Sequence, residues 1–198
     1  MDQRTRILIV TESPVLPSGM AETTRLIFPT LLDRYPQGFE LHQLGLFHCY
    51  AVATPRWPIY PTQAAKGPDG PLRFSPDDRY RQKTCFKIAA RIQPDVVFAF
   101  GEPQRVSYLC APRNARRHRL ILYVNFDGLP LPPGYGSVLR HADLLLTKSE
   151  FAKKVLASAH PDFPADKLSY LYAPADTQRF APISTEARVG LRRDLLPE

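Results

Sequence analysis

Four short apolar runs constrain this chain more than anything else in it: "RILIV" (6–10), "PDVVFAF" (94–100), "LILYVNF" (120–126) and "ADLLLT" (142–147). Each is continuous rather than alternating, which is the pattern of strands covered on both faces. "FELHQLGLF" (39–47) and "KLSYLYA" (167–173) bring the predicted strands to six. Between them, apolar residues recur at helical spacing. Leu26, Ile27, Leu31 and Leu32 mark one helix that opens near Ser18 or Gly19, and Cys85, Ile88, Ala89 and Ile92 mark another over 79–92. Further helices are predicted over 103–111 and 149–159. Pro29 should kink the first helix, since it lacks an amide donor and crowds the preceding turn.

Buried strands alternating with helices fold as a parallel sheet with helices on both faces. The fold class is therefore α/β, a single Rossmann-like, doubly wound, mostly parallel sheet. The 21 prolines of the 198 residues concentrate at 55–76 and 129–133. Residues 49–78 hold no predicted element and read as an inserted loop pinned by Trp57, Tyr60 and Phe74.

A chain of this length can bury roughly 70% of its unfolded surface without staples. Its three cysteines, Cys49, Cys85 and Cys110, match neither a disulfide framework nor a zinc pattern and suit a reducing compartment. The start lacks a signal peptide, and no apolar stretch approaches the roughly 20 residues of a membrane span. A cytoplasmic location is expected, with peripheral contact at the inner membrane face as an option. The net charge of +7 favours acidic partners: phosphates, anionic lipid or nucleic acid.

Ligands of open parallel sheets bind beyond the carboxyl ends of the strands. Four loops are so nominated. In "LPSGMAETTR", Ser18, Gly19 and Met20 stand at a helix start, which is either an anion site or a tight turn. Neither G-x-G-x-x-G nor the P-loop pattern is present. Glu102 follows an apolar strand and either binds a hydroxyl-rich ligand or caps the next helix. Asn125 and Asp127 precede a Pro- and Gly-rich segment, where Asp127-Gly128 is either part of a site or a turn. In "LTKSEF", Lys148 could serve a phosphate or lie in solvent, beside the N-cap Ser149 and Glu150.

The densest charge, Arg113, Arg116, Arg117 and Arg119, is either a solvated helix end or a patch for an anionic membrane. Nucleic acid is disfavoured, because no aromatic residues interleave with these arginines. His42, His48, His118, His141 and His160 lack metal-ligand spacing, so no metal site is expected. No G-x-S-x-G elbow is present for a hydrolase.

Taken in order, "LPSGMAETTRLI", "PDVVFAFGE", "ADLLLTKSEFAKKVL" and "APADTQRFAP" resemble the N-terminal domain of family-four-like GT-B glycosyltransferases. The last phrase is similar to that family's G-V-D-T-x-x-F-x-P segment, which leads into the C-terminal domain. The resemblance spans about residues 5–198. It implies sugar transfer from a nucleotide-sugar, usually with retention, without a bound metal and with no cofactor beyond that co-substrate. It also implies that residues 1–182 hold the acceptor and that the Ser18–Met20 loop approaches the donor phosphates; Asp127, directly after a predicted strand, is the candidate catalytic group by position. Many members carry a histidine where this chain has Asn125, Phe126 and Asp127. Residues 183–198 would be a linker helix toward a C-terminal domain or partner subunit carrying the donor pocket and its Glu-x7-Glu element. The alternative is a non-catalytic module that binds a carbohydrate, lipid-linked acceptor or protein.

Overall fold

The computed structural model describes residues 4–47, 56–62, 81–126, 128, 130, 131 and 134–195. Among these residues seven strands form one sheet: β1 (Thr5–Glu12), β2 (Phe39–Leu46), β3 (Ile59–Pro61), β4 (Val96–Gly101), β5 (Arg119–Val124), β6 (Leu144–Thr147) and β7 (Leu168–Tyr170). Their order is β3-β2-β1-β4-β5-β6-β7, and every neighbouring pair is parallel. The fold is the Rossmann-like α/β sheet that the apolar runs required.

Successive side chains of a strand point to opposite faces, so each run feeds two cores. In β1, Ile7 and Ile9 join Leu41, Trp57 and Phe28 on one face. Leu8 and Val10 join Leu44, Val97, Leu122 and Leu145 on the other. Helix α1 (Gly19–Arg34) covers the first face through Phe28, with Ile27, Leu31 and Leu32 beside it. The second face is covered by α2 (Gln82–Ile92) with Cys85 and Ile92, α4 (Tyr135–Leu139) with Leu139, and α5 (Glu150–Ala159) with Leu156. The short α3 (Pro103–Val106) lies between β4 and β5, and α6 (Thr185–Leu195) buries no residue.

α1 keeps Pro29 inside its span, and Thr30 donates its hydroxyl to the Leu26 carbonyl at 2.7 Å. Two sequence expectations are corrected. The segment 49–78 does contain an element, because β3 adds to the edge of β2 with Gln43 beside Ile59 and Gly45 beside Pro61. A proline is tolerated there because an edge strand has one unpaired side. Trp57 is buried as an anchor and Tyr60 stacks on His42, whereas Phe74 lies outside the described residues. The helix expected over 103–111 divides into α3 and a 3-10 turn, Ser107–Leu109.

Candidate functional site

β1 and β4 are neighbours, yet the sheet continues from β1 toward β2 and from β4 toward β5. This reversal is the topological switch point, where open α/β sheets leave a crevice at their carboxyl edge. Ser18 caps α1, its Oγ accepting from the Ala21 amide at 3.1 Å. The same hydroxyl donates to Glu12 Oε2. Glu12 Oε1 lies 3.6 Å from Arg105 Nη1, and Arg105 Nε pairs with Glu102. One guanidinium is thus held between two carboxylates directly at the crevice. The Arg105 guanidinium also lies over the Phe47 ring, 5.8 Å from its centroid.

The frame beneath is fixed by buried hydrogen bonds. Trp57 Nε1 donates to Gln43 Oε1 at 2.9 Å, and Gln43 Nε2 donates to the Glu12 carbonyl at 3.0 Å. Gln43 is fully buried, so both amide ends need these partners.

Gly19 occupies the first position of α1, and a Cβ built there meets no atom within 4 Å. Its φ is not in the left-handed region, so no tight turn demands glycine here. What glycine leaves is open space at the helix start.

Glu102 occupies the N-cap position of α3 but makes no side-chain cap, since Pro103 follows it and its carboxylate is taken by Arg105. Beside it, Glu102, Gln104, Asn125, Phe126, Leu131 and Tyr135 line a pocket of about 260 Å³. Tyr135 donates its hydroxyl to Gln104 Oε1 at 2.9 Å. Asn125 Oδ1 is sheltered from solvent and has no hydrogen-bond partner among the described residues. Asp127 lies outside the described residues.

The β6 loop stands apart from that pocket. Ser149 caps α5 by accepting from the Ala152 amide at 3.1 Å. Glu150 pairs with Lys154 at 3.0 Å, one turn along. Lys148 sets its ammonium 4.9 Å from the Phe100 centroid, and Phe100 stacks on Tyr123 at 4.6 Å.

The arginine run lies at the other edge of the sheet, where the Arg119 amide bonds to Asp95 O at 2.8 Å. The surface reading fails for Arg116, which is buried. Its guanidinium is used up on the Ala111, His118 and His141 carbonyls and on Asp143, at 2.6–3.2 Å. Arg113 and Arg119 each approach Asp143 Oδ1 at 3.5 Å, and the Leu120 amide donates to Oδ2 at 2.7 Å. Burial alone would raise the Asp143 pKa, but the Leu120 amide, Arg116 and Arg113 outweigh it and hold the carboxyl below its usual range.

His118 is held below its ordinary pKa of 6.5, first by burial and then by repulsion from Arg116 and Arg113, against a weaker pull from Asp143. Its unfolded form therefore takes a proton more readily than its folded form. Stability should fall as pH drops from about 7 toward 5, and His118→Gln should flatten that fall in melting temperature. An equal slope in wild type and variant would remove His118 from the effect. Burial also pushes the Cys110 thiol up to about 12, which leaves it protonated rather than nucleophilic.

Glu12 and Arg105 were missed from the sequence. The rule that nominated Glu102 would have found Glu12, which ends β1, and Arg105 lies three residues past Glu102 on the same short helix.

No protein-family model matches the chain, and no curated protein sequence matches it. Solved structures do. A glycosyltransferase from Rickettsia africae ESF-5 superposes with a TM-score of 0.58 at 15% identity, covering 98% of this chain and 50% of its own. The fold is that of half a GT-B glycosyltransferase. Arabidopsis thaliana UGT89C1 complexed with UDP gives 0.52 at 12% identity, over 98% of this chain and 57% of its own. The E. coli trehalose-6-phosphate protein bound with UDP-2-fluoro glucose gives 0.52 at 11%, over 96% and 54%. The chain thus spans about half the length of these GT-B structures.

Proposed function

We propose that this chain is the acceptor-side domain of a glycosyltransferase. It holds the acceptor while a second Rossmann-like domain, on the same polypeptide or a partner subunit, presents the nucleotide-sugar. The observation that carries the reading is the switch-point crevice, with open space at the Gly19 helix start, in a sheet that matches one half of GT-B structures. In the reaction, the bond from the anomeric carbon to the diphosphate breaks and a bond to an acceptor oxygen forms. The amides at Ser18, Gly19 and Met20 face the diphosphate that leaves, where helix-start amides favour negative charge. Glu102 and Asn125 take acceptor hydroxyls in the adjoining pocket, and Asp127 is the candidate proton acceptor. Lys148, Ser149 and Glu150, on the separate β6 loop, meet the sugar or acceptor from outside that pocket. In this reading transfer retains configuration and uses no bound metal, on the cytoplasmic side.

The test is transfer from radiolabelled nucleotide-sugars to an acceptor panel, by this chain alone and mixed with a GT-B C-terminal domain. Transfer only in the mixture is the expected result. Gly19→Ala separates ligand from fold. The methyl meets no atom of the chain, so stability should hold or rise by up to about 1 kcal/mol. Transfer should nonetheless fall by about 100-fold as the diphosphate is displaced by an ångström. A mixture of docked halves that transfers no sugar would instead support a non-catalytic binding module.

A further inference from the structure

A groove of about 820 Å³ lies at the amino edge of the sheet, remote from the switch-point crevice. Its volume falls within the ~300–1,000 Å³ of small-molecule sites. It runs between α2 and the segment from Tyr108 to Arg119, and the two sides differ in chemistry. One side is apolar. Phe86 of α2 meets Tyr108 edge to face at 6.0 Å, with Ala89 and Ala90 beside them. Phe86 keeps 47% of its surface exposed, a large aromatic left partly in water at the groove. The other side is cationic. Arg113, Arg117 and Arg119 line it, with Arg6 and the buried Arg116 completing five guanidiniums.

Carboxylates do not balance this set. Asp95 is the one acid lining the groove among the described residues, and Asp143 behind it is shared by Arg113, Arg116 and Arg119. Arg116 is spent within the fold, but the Arg119 side chain stays 66% exposed and that of Arg113 46%. His118 also lines the groove, and its Nε2 is sheltered with no partner among the described residues. A ligand that fits must bring negative charge to one side and an apolar body to the other.

We propose that this groove is a second binding site, which takes an alkyl phosphate or a closely similar organic anion. The phosphate oxygens accept from Arg113, Arg117 and Arg119, whose planar forks suit them. The alkyl body lies along Phe86, Ala89 and Tyr108 and leaves water there. A soluble phosphorylated metabolite and a membrane phospholipid share this chemistry. The proposal stands independently of the glycosyl-transfer reading, since none of its residues lines the switch-point crevice.

The test uses the full chain and decyl phosphate kept monomeric, titrated by calorimetry, with inorganic phosphate as the headgroup alone. Saturable one-to-one binding is expected. Arg117→Glu with Arg119→Glu should weaken it by about tenfold or more, as charge-assisted hydrogen bonds are lost. Ala90→Trp, at an exposed position on the apolar side, should weaken it comparably by filling the groove while the melting temperature holds. Inorganic phosphate binding as tightly as decyl phosphate would overturn the proposal, as would binding indifferent to both variants. Vesicles of phosphatidylcholine with phosphatidylglycerol identify the source. Vesicle binding abolished by Ala90→Trp assigns the groove to a lipid, and decyl phosphate binding without vesicle binding assigns it to a soluble ligand. Vesicle binding that survives Ala90→Trp, with no decyl phosphate binding, would mean flat electrostatic adhesion and defeat the groove.

Discussion

Asp143→Ala is expected to destabilise the domain by about 3–5 kcal/mol, a large part of the 5–15 kcal/mol that holds a typical fold. The alanine leaves Arg116 buried with its charge uncompensated, and it strips the Leu120 amide of its acceptor. The cost comes from the stranded guanidinium more than from the lost attraction. Replacing both partners, as Arg116→Met with Asp143→Leu, should therefore recover most of the loss, since a packed apolar pair needs no partner charge. Chemical denaturation of Arg116→Met, Asp143→Leu and their double closes the cycle. A double variant as unstable as the sum of the singles would show that the arginine's three carbonyl contacts, not its charge pair, carry the region.

Trp57→Ala should cost about 3–5 kcal/mol, the range for removing a large buried aromatic. The indole packs edge-on to Phe28 at 6.0 Å and fills the core under α1. Trp57→Phe isolates the hydrogen bond. It keeps an aromatic ring but orphans Gln43 Oε1, at about 1–3 kcal/mol. Because Gln43 also holds the Glu12 carbonyl, either change should loosen the crevice. Hydrogen exchange at the β1 and β2 amides would register this. Protection unchanged in a destabilised Trp57→Ala protein would confine the indole's role to packing.

How much of this was legible in the sequence depends on the range of the interaction. β1, β4 and β5 announced themselves because two-sided burial demands unbroken apolar runs. Ser18 and Ser149 were readable as caps because capping acts across three residues. β3 was not, since three residues with a terminal proline carry no periodicity, and their pairing with β2 is flanked by contacts between distant residues such as Trp57 with Gln43 and Thr62 with Gly45. Arg116 looked like its exposed neighbours Arg117 and Arg119. It is drawn inside by the distant Asp143 and by the carbonyls of Ala111, His118 and His141, none of which the run itself announces. The Glu12–Arg105–Glu102 cluster joins residues some 90 positions apart, which meet because β1 and β4 are adjacent in the sheet.

The two rims of the sheet have one further consequence. β3 and β7 are each three residues long, and β3 ends in a proline. Neither offers the long row of unpaired amides that recruits another strand. Lateral growth by strand addition is thereby discouraged at both margins, which protects the domain from fibre-like stacking. The companion domain of the proposed reading would then meet the loops beyond the strand tips rather than lengthen the sheet.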